Sequence, residues 1–187
     1  DANSKENIAK DMEKIKAAGF TDIIVDVRPT TGDVLFNTNV VDQVKRMDVW
    51  GNSGYSYYER TETWDYLQAF IEEARIQGLK VNASINTFVG GYLCPYNLGH
   101  DGVLFRDESK KGWASVANLA DGLTNTMDLL DDETDYGAKF FNPANDDVQN
   151  FVLQLLADLA KYDLDGIILD RCRYDDYGLS LIHISEP

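Results

Sequence analysis

Residues 145–170 read "NDDVQNFVLQLLADLAKYDLDGIILD" and join a helical pattern to a strand pattern. Asn145 is a helix-capping residue type, and the two aspartates after it suit the positive N-terminal end of a helix. Apolar side chains then recur at helical spacing, at Val148, Phe151, Val152, Leu155, Leu156 and Leu159. After the short turn "KYDLD", the apolar run "GIILD" ends at Asp170. The segment therefore predicts an amphipathic helix followed by a buried strand.

The same order occurs twice nearer the N-terminus. Residues 5–18 predict a helix that stops at Gly19, and "TDIIVDVRP" (21–29) predicts a strand. Residues 63–77 predict a second helix, and "LKVNASINTF" (79–88) a second strand. Residues 30–62 and 89–141 lack periodicity and are predicted to be long loops after these strands. Such alternation indicates parallel strands covered by helices.

Each predicted strand ends in polar residues. Asp26 and Arg28 are two positions apart and are expected on one side of the first strand. Asn86 ends the second strand, and Asp170 ends the third. In parallel α/β folds the loops after the strands build the functional site. We therefore expect these side chains to face that site.

Composition narrows the choice of partners. The chain of 187 residues has a formal net charge of −15, which repels nucleic acids and anionic membranes, so a neutral or cationic ligand fits better. No apolar run is long enough for a membrane-spanning helix. No phosphate-binding glycine loop or H-E-x-x-H motif occurs, so we predict no nucleotide, redox or metal cofactor. Cys94 and Cys172 lack metal-ligand spacing and are either a disulfide or two free thiols.

Three stretches together resemble a known family. The stretches "DIIVDVRPTTGDVLF", "FIEEARIQGLKVNASIN" and "FFNPANDDVQNFVLQLLADLAKYDLDGIILDRCRY" are similar to successive segments of the glycoside-hydrolase-like family 10 proteins (DUF187), mostly secreted bacterial TIM-barrel proteins. The resemblance covers roughly residues 6–177. It implies a partial (β/α)8 TIM barrel over residues 1–178, with about strands 2–4, helices 1–3 and long βα loops. It also implies a secreted, periplasmic or cell-envelope protein.

The last nine residues, "LSLIHISEP" at 179–187, differ in character from the rest. They resemble the translation of a transposase sequencing adapter, so we expect them to be non-native. The alternative is a native terminal strand. If four further strands are missing, sheet edges and apolar helix faces stay uncovered, and we expect the 1–178 chain to aggregate or to be partly molten.

The resemblance also implies an activity and a set of site residues. Glycosidases of this architecture use two carboxylates, and Asp170 is the predicted catalytic one. The predicted substrate-binding residues supply charge, amide groups or rings: Arg28, Asn86, Arg173, Tyr174 and Trp113. The second carboxylate is expected from later strands, so the chain as given is expected to be inactive. Asp175 and Asp176 are expected to line the same loop.

Other interpretations stay open. Asp26 is interpreted as a structural partner of Arg28, and an Asp170 ion pair would make the cluster structural too. The protein would then be a non-catalytic barrel that binds glycans. A metal-dependent barrel hydrolase, such as a polysaccharide deacetylase, is less favoured because the chain has only two histidines.

Overall fold

A mixed α/β fold is seen in the computed structural model, which describes residues 2–51, 54–93, 100–129 and 138–175. Cys94, Asp176 and the predicted non-native tail lie outside the described residues. The elements in chain order are α1 (Lys5–Ala17), β1 (Asp22–Arg28), β2 (Arg46–Gly51), β3 (Gly54–Glu59), α2 (Tyr66–Ile76), β4 (Lys80–Asn86), β5 (Val89–Leu93), β6 (His100–Asp101), α3 (Val103–Arg106), β7 (Val116–Leu119), β8 (Gly122–Asn125), β9 (Ala138–Phe140), α4 (Asp146–Leu159) and β10 (Gly166–Asp170). Short 3₁₀ helices cover Glu108–Trp113 and Thr126–Leu129. None of the helices in these ranges is long and apolar enough to cross a bilayer.

The three predicted helices are confirmed, and side chains cap each of them. Ser4 accepts a hydrogen bond from the Asn7 amide at the start of α1. Asn145 accepts from two amides at the start of α4, as expected from its residue type. The second helix begins at Tyr66 instead of residue 63, because Asp65 takes the capping position.

The three predicted strands form one parallel sheet in the order β1, β4, β10. Asp26 of β1 lies opposite Ser84 of β4, and Asp170 of β10 lies opposite Asn86. The prediction of parallel strands with covering helices is therefore confirmed. The strands within the described ranges form no closed barrel.

The two faces of this sheet have different surroundings. On one face, the strand residues Ile23, Val25, Val81, Ala83 and Ile85 join α1, α2 and α4 in a single apolar core. The residues of the other face are exposed or half-buried, and we call it the open face: Ile24, Asp26, Asn82, Ser84, Ile168 and Asp170. Ile24 on this face is 64% exposed.

The two predicted long loops are wrong in part, because both contain strands. Residues 30–62 include the antiparallel hairpin β2–β3. Residues 89–141 include the hairpin β7–β8 and the antiparallel sheet β6-β5-β9. These strands span two to six residues, which is too short for a clear period of two. The turn between β7 and β8 is Ala120-Asp121, and Gly122, the first residue of β8, has a φ of 124°.

A close glycine contact holds the loop after β4 against the loop after β1. A Cβ on Gly102 would lie 2.6 Å from the Gly90 carbonyl oxygen and 2.7 Å from that of Thr31. Gly102 also has a φ of 97°, which other residues rarely adopt. Only glycine fits at this position, so the two loops can approach backbone to backbone.

Candidate functional site

Asp170 ends β10 on the open face and is held by the backbone on both sides. Its carbonyl oxygen accepts a hydrogen bond from the Thr87 amide at 2.8 Å. Its carboxylate accepts one from the Arg171 amide at 2.7 Å, and the side chain stays exposed. Arg171 has a φ of 44°, a left-handed conformation that costs a non-glycine residue about 1–3 kcal/mol. Such strain is concentrated at functional sites, so this turn is the first local sign of one.

Asp26 also lies on the open face and lines a cleft of about 300 Å³ beyond the end of β1. We call this the β1 cleft: Asp26, Pro29, Thr30, Thr31, Leu35, Val44, Arg46, Met47, Tyr66 and Tyr92. Asp26 keeps contact with solvent, but the protein packed around it raises the pKa of its carboxyl, and the charge of Asp170 adds to the rise. Burial raises the pKa of Tyr66 to about 12, so this wall of the cleft is a neutral phenol near neutral pH.

Arg28 does not share the environment of Asp26, because the register shifts between them. Asp26 pairs with Ser84 and Arg28 with the next residue, Ile85, so Val27 is an extra residue and forms a β-bulge. The bulge turns the Arg28 side chain into the core, where its guanidinium lies 5.7 Å from the centre of the Phe151 ring. The expectation that Asp26 and Arg28 share one side is thus wrong.

The buried guanidinium of Arg28 serves the backbone of the loop after β4. It donates to the carbonyl oxygens of Asn86 and, at 2.6 Å, Val89. The Asn86 side chain is also buried and donates back to the Arg28 carbonyl oxygen at 2.9 Å. Burial lowers the pKa of Arg28 to about 10, so it stays charged near neutral pH. Both side chains therefore bond to backbone carbonyl oxygens at the ends of β1 and β4 and in the loop that follows.

Trp113 lies in a second cleft of about 260 Å³, away from the lining of the β1 cleft. Its ring packs against Phe141 and Phe151, with centroids 5.9 and 5.6 Å away. The Lys110 ammonium lies 4.3 Å from its ring centre. Asp170 is outside the lining of both clefts. The structure therefore places Trp113 against the aromatic core, while the charge of Asp170 acts on Asp26.

The two remaining predicted binding residues follow β10. Arg173 is exposed, donates to the Tyr174 carbonyl oxygen at 3.0 Å, and has its guanidinium 6.0 Å from the Phe140 ring centre. Tyr174 is half-buried. Asp175 contacts Ser115 at 2.6 Å, which joins this segment to the β7–β8 hairpin.

Two ion pairs fix the loops that surround the β1 cleft. Asp33, almost fully buried, accepts two hydrogen bonds from the Arg106 guanidinium, one at 2.9 Å. Arg46, which lines the cleft, donates to Asp101 at 2.7 Å. Burial raises the pKa of the Asp33 carboxyl, and Arg106 counteracts that rise. These pairs join the loop after β1 to the loop after β4.

Several residues of the β1 cleft were missed by the sequence reasoning. Asp26 was predicted to share a side of the strand with Arg28, because a regular strand alternates and nothing in the sequence marks the bulge. Tyr66 follows the cap of α2 directly, and Tyr92 is in "VGGYL" after the second predicted strand. Tyr66 begins the helix that follows the segment after β1, and Tyr92 lies shortly after β4, so their places after strand ends were the signal that could have identified them.

No protein-family model matches the chain. An S-layer-related protein of Niallia circulans is 29% identical over 180 residues, covering 91% of this chain. The match spans about 10% of the length of that protein. The chain therefore corresponds to a small part of this relative.

Two solved structures are similar in fold. A hypothetical protein from Ruminiclostridium thermocellum ATCC 27405 aligns over 99% of this chain and 80% of its own, with a TM-score of 0.58 and 12% identity. Alpha-L-fucosidase isoenzyme 2 from Paenibacillus thiaminolyticus aligns over 89% of this chain and 20% of its own, with a TM-score of 0.56 and 20% identity. At these identities the likeness concerns the fold. The chain is thus similar in fold to part of a glycoside hydrolase.

Proposed function

We propose that the protein carrying this chain hydrolyses O-glycosidic bonds of a poly- or oligosaccharide, with Asp170 as one of its two carboxylates. The observation that carries the proposal is the turn at Asp170. An exposed carboxylate ends the edge strand β10 and is oriented by the amide of a strained Arg171. The fold likeness to part of a fucosidase supports the same class of reaction.

The proposal includes a barrel architecture for residues 1–178, with residues 179–187 as a non-native tail. In it, β1, β4 and β10 are strands 2–4 of a (β/α)8 barrel. Their sequential parallel order and the exposed face opposite the helices support this arrangement. The open face would then be the barrel interior, and Asp26 and Asp170 would lie at its functional end.

The substrate contacts proposed from the sequence divide into two groups. Arg173 and Tyr174, next to Asp170, are proposed to bind sugar hydroxyls and to stack on a ring. Trp113 is proposed to stack on a sugar ring in the second cleft. Arg28 and Asn86 are proposed to act through the loop after β4, because their polar groups bond to backbone. The name of the S-layer-related relative favours a place in the cell envelope.

A non-catalytic glycan-binding protein is the second candidate. The S-layer-related relative favours it, because its name refers to the S-layer and to no reaction. In that case the Asp170 turn would orient a hydrogen-bond acceptor for a sugar hydroxyl. The two candidates make opposite predictions for turnover.

The deciding experiment uses the intact protein encoded by the complete gene. It is incubated with a panel of glycans and aryl glycosides, fucosides included, and released sugar is quantified. We expect turnover, and expect Asp170→Asn to abolish it. Asp22→Asn is the matched control. Asp22 is exposed, as Asp170 is, but it lies at the start of β1, whereas Asp170 lies at the end of β10. Glycan binding without turnover would instead establish the second candidate.

A further inference from the structure

The surroundings of Asp26 suit a carboxyl group that takes part in a reaction. It is exposed at the edge of a cleft of about 300 Å³ whose lining includes Tyr66, Tyr92 and Arg46. The bulge at Val27 turns the Arg28 guanidinium away from it, and the Asp26 carboxylate accepts a hydrogen bond from the Arg28 backbone amide at 3.3 Å. This hydrogen bond orients the carboxyl group of an exposed residue.

The register of the sheet sets the spacing between Asp26 and Asp170. Asp26 is opposite Ser84 and Asp170 is opposite Asn86, so one strand and two residues separate them. Two strand spacings of about 4.8 Å and two residues of about 3.3 Å give roughly 12 Å between the backbones. Two short aspartate side chains cannot reduce that gap to the roughly 5–5.5 Å of retaining glycosidases. The gap leaves room for a water molecule, as in inverting enzymes.

The pKa of the Asp26 carboxyl is raised above its ordinary value. Loss of hydration among the packed protein atoms raises its pKa, and the nearby Asp170 carboxylate raises it further. The Arg28 amide, the Arg28 charge and the Arg171 charge act in the opposite direction. Among the residues that line the β1 cleft, Arg46 is paired with Asp101, and the Tyr66 hydroxyl is neutral near neutral pH. A general acid needs such a raised pKa.

We propose that Asp26 is the proton donor to the leaving glycosidic oxygen and that Asp170 is the base that activates water, with inversion at the anomeric carbon. The inference rests on the proposed function. The Asp26 proton moves to the glycosidic oxygen, and the C1–O bond breaks with its electron pair on that oxygen. Asp170 removes a proton from a water molecule whose oxygen bonds to C1 from the opposite face. Solvent exchange afterwards returns the proton from Asp170 to Asp26. The second carboxylate is therefore within this chain, and not on a later strand.

The kinetic test compares Asp26→Asn, Asp170→Asn and the control Asp22→Asn in the intact protein. The substrates are matched glycosides of the sugar identified above, one with an alkyl and one with a dinitrophenyl leaving group. We expect Asp26→Asn to lose about 10²–10⁴-fold in rate on the alkyl glycoside and little on the dinitrophenyl glycoside, which leaves without protonation. Asp170→Asn should lose activity on both. The first product should have the opposite anomeric configuration by ¹H NMR.

A second measurement does not depend on turnover. ¹³C NMR of the aspartate carboxyl groups should show the pKa of Asp26 falling when Asp170→Asn removes the neighbouring charge. An unchanged pKa would mean that the two groups do not interact, and the inference would fail.

The outcomes separate the inference from the proposed function. If the wild-type protein cleaves nothing, the hydrolase assignment fails, and the inference fails with it. If it does cleave, but Asp26→Asn behaves like Asp22→Asn, only the inference fails. Retained configuration, or an equal loss of rate on both glycosides, would also remove these roles from Asp26 and Asp170. Circular dichroism of each variant checks that the fold is intact.

Discussion

The Arg28 side chain lies in the core and contacts the loop that binds Asp170. Its guanidinium binds carbonyl oxygens of Asn86 and Val89, and the amide of Thr87, between them, binds Asp170. The loop after β4 is therefore fixed by one buried cation on one side and by the end of β10 on the other. A change at Arg28 should reach Asp170 through Thr87.

Replacing Arg28 by methionine should lower the free energy of unfolding by about 2–4 kcal/mol, since each buried carbonyl left without a donor costs about 1–3 kcal/mol. Urea unfolding measures this loss, and hydrogen exchange of the Thr87 amide should quicken. Arg173→Met is the control, because Arg173 is exposed. We expect its effect to remain within about 0.5 kcal/mol. Equal effects of the two variants would show that the Arg28 contacts do not position the loop.

At the scale of elements, the loops after β1 and β4 are joined by the Gly102 contact and the Asp33–Arg106 pair. Arg106→Ala removes the cation beside a buried carboxylate. We expect a loss of about 2–3 kcal/mol at pH 7, below the usual range for buried pairs because the Arg106 side chain is 26% exposed. Lys14→Ala, in an exposed pair with Asp11, should change stability by less than about 1 kcal/mol.

The Arg106→Ala loss should depend on pH. Burial raises the pKa of Asp33, and removing Arg106 should raise it further. A group whose folded pKa is above its unfolded value favours folding below the unfolded value, and this contribution is lost as pH rises through the folded pKa. The variant should therefore approach the wild type near pH 4, close to the ordinary value of 3.8. A constant deficit between pH 4 and 7, seen in urea titrations, would contradict this account.

How well the elements could be predicted depended on their length. α4 combines a capping residue with a long apolar stripe, and β10 is a continuous apolar run, so both follow from local patterns. β7 and β8 have four residues each, and their pairing depends on tertiary contacts. The bulge at Val27 has no glycine or proline to mark it. The fold of the sheet and the position of Asp170 were thus predictable, and the cleft around Asp26 was not.

On the scale of the whole molecule, the open face of the sheet is the largest departure from a usual α/β arrangement. Parallel sheets are normally covered on both faces, yet Ile24 and Ile168 are 64% and 37% exposed. The strands β1 and β10 also form the two edges of this sheet. Exposed apolar surface beside open edges favours association with other protein surfaces.

We expect the isolated chain to self-associate through this face. The double variant Ile24→Ser, Ile168→Ser should shift it toward monomer, measured by size-exclusion chromatography with light scattering. Ile76→Ser is the matched control, because Ile76 is 71% exposed but ends a helix. Its association should match that of the parent chain. A monomeric parent chain with one cooperative thermal transition would contradict this expectation.

The extra residue at Val27 has an evolutionary consequence. Asp26 meets solvent while Arg28, only two codons later, is enclosed by the core, so selection acts on the two positions for different reasons. A substitution of the exposed acid at position 26 leaves the hydrogen bonds of Arg28 to the loop after β4 in place. Without the bulge, Arg28 would pair with Asn86 and lie on the same side of the sheet as Asp26, so the two positions would no longer be independent.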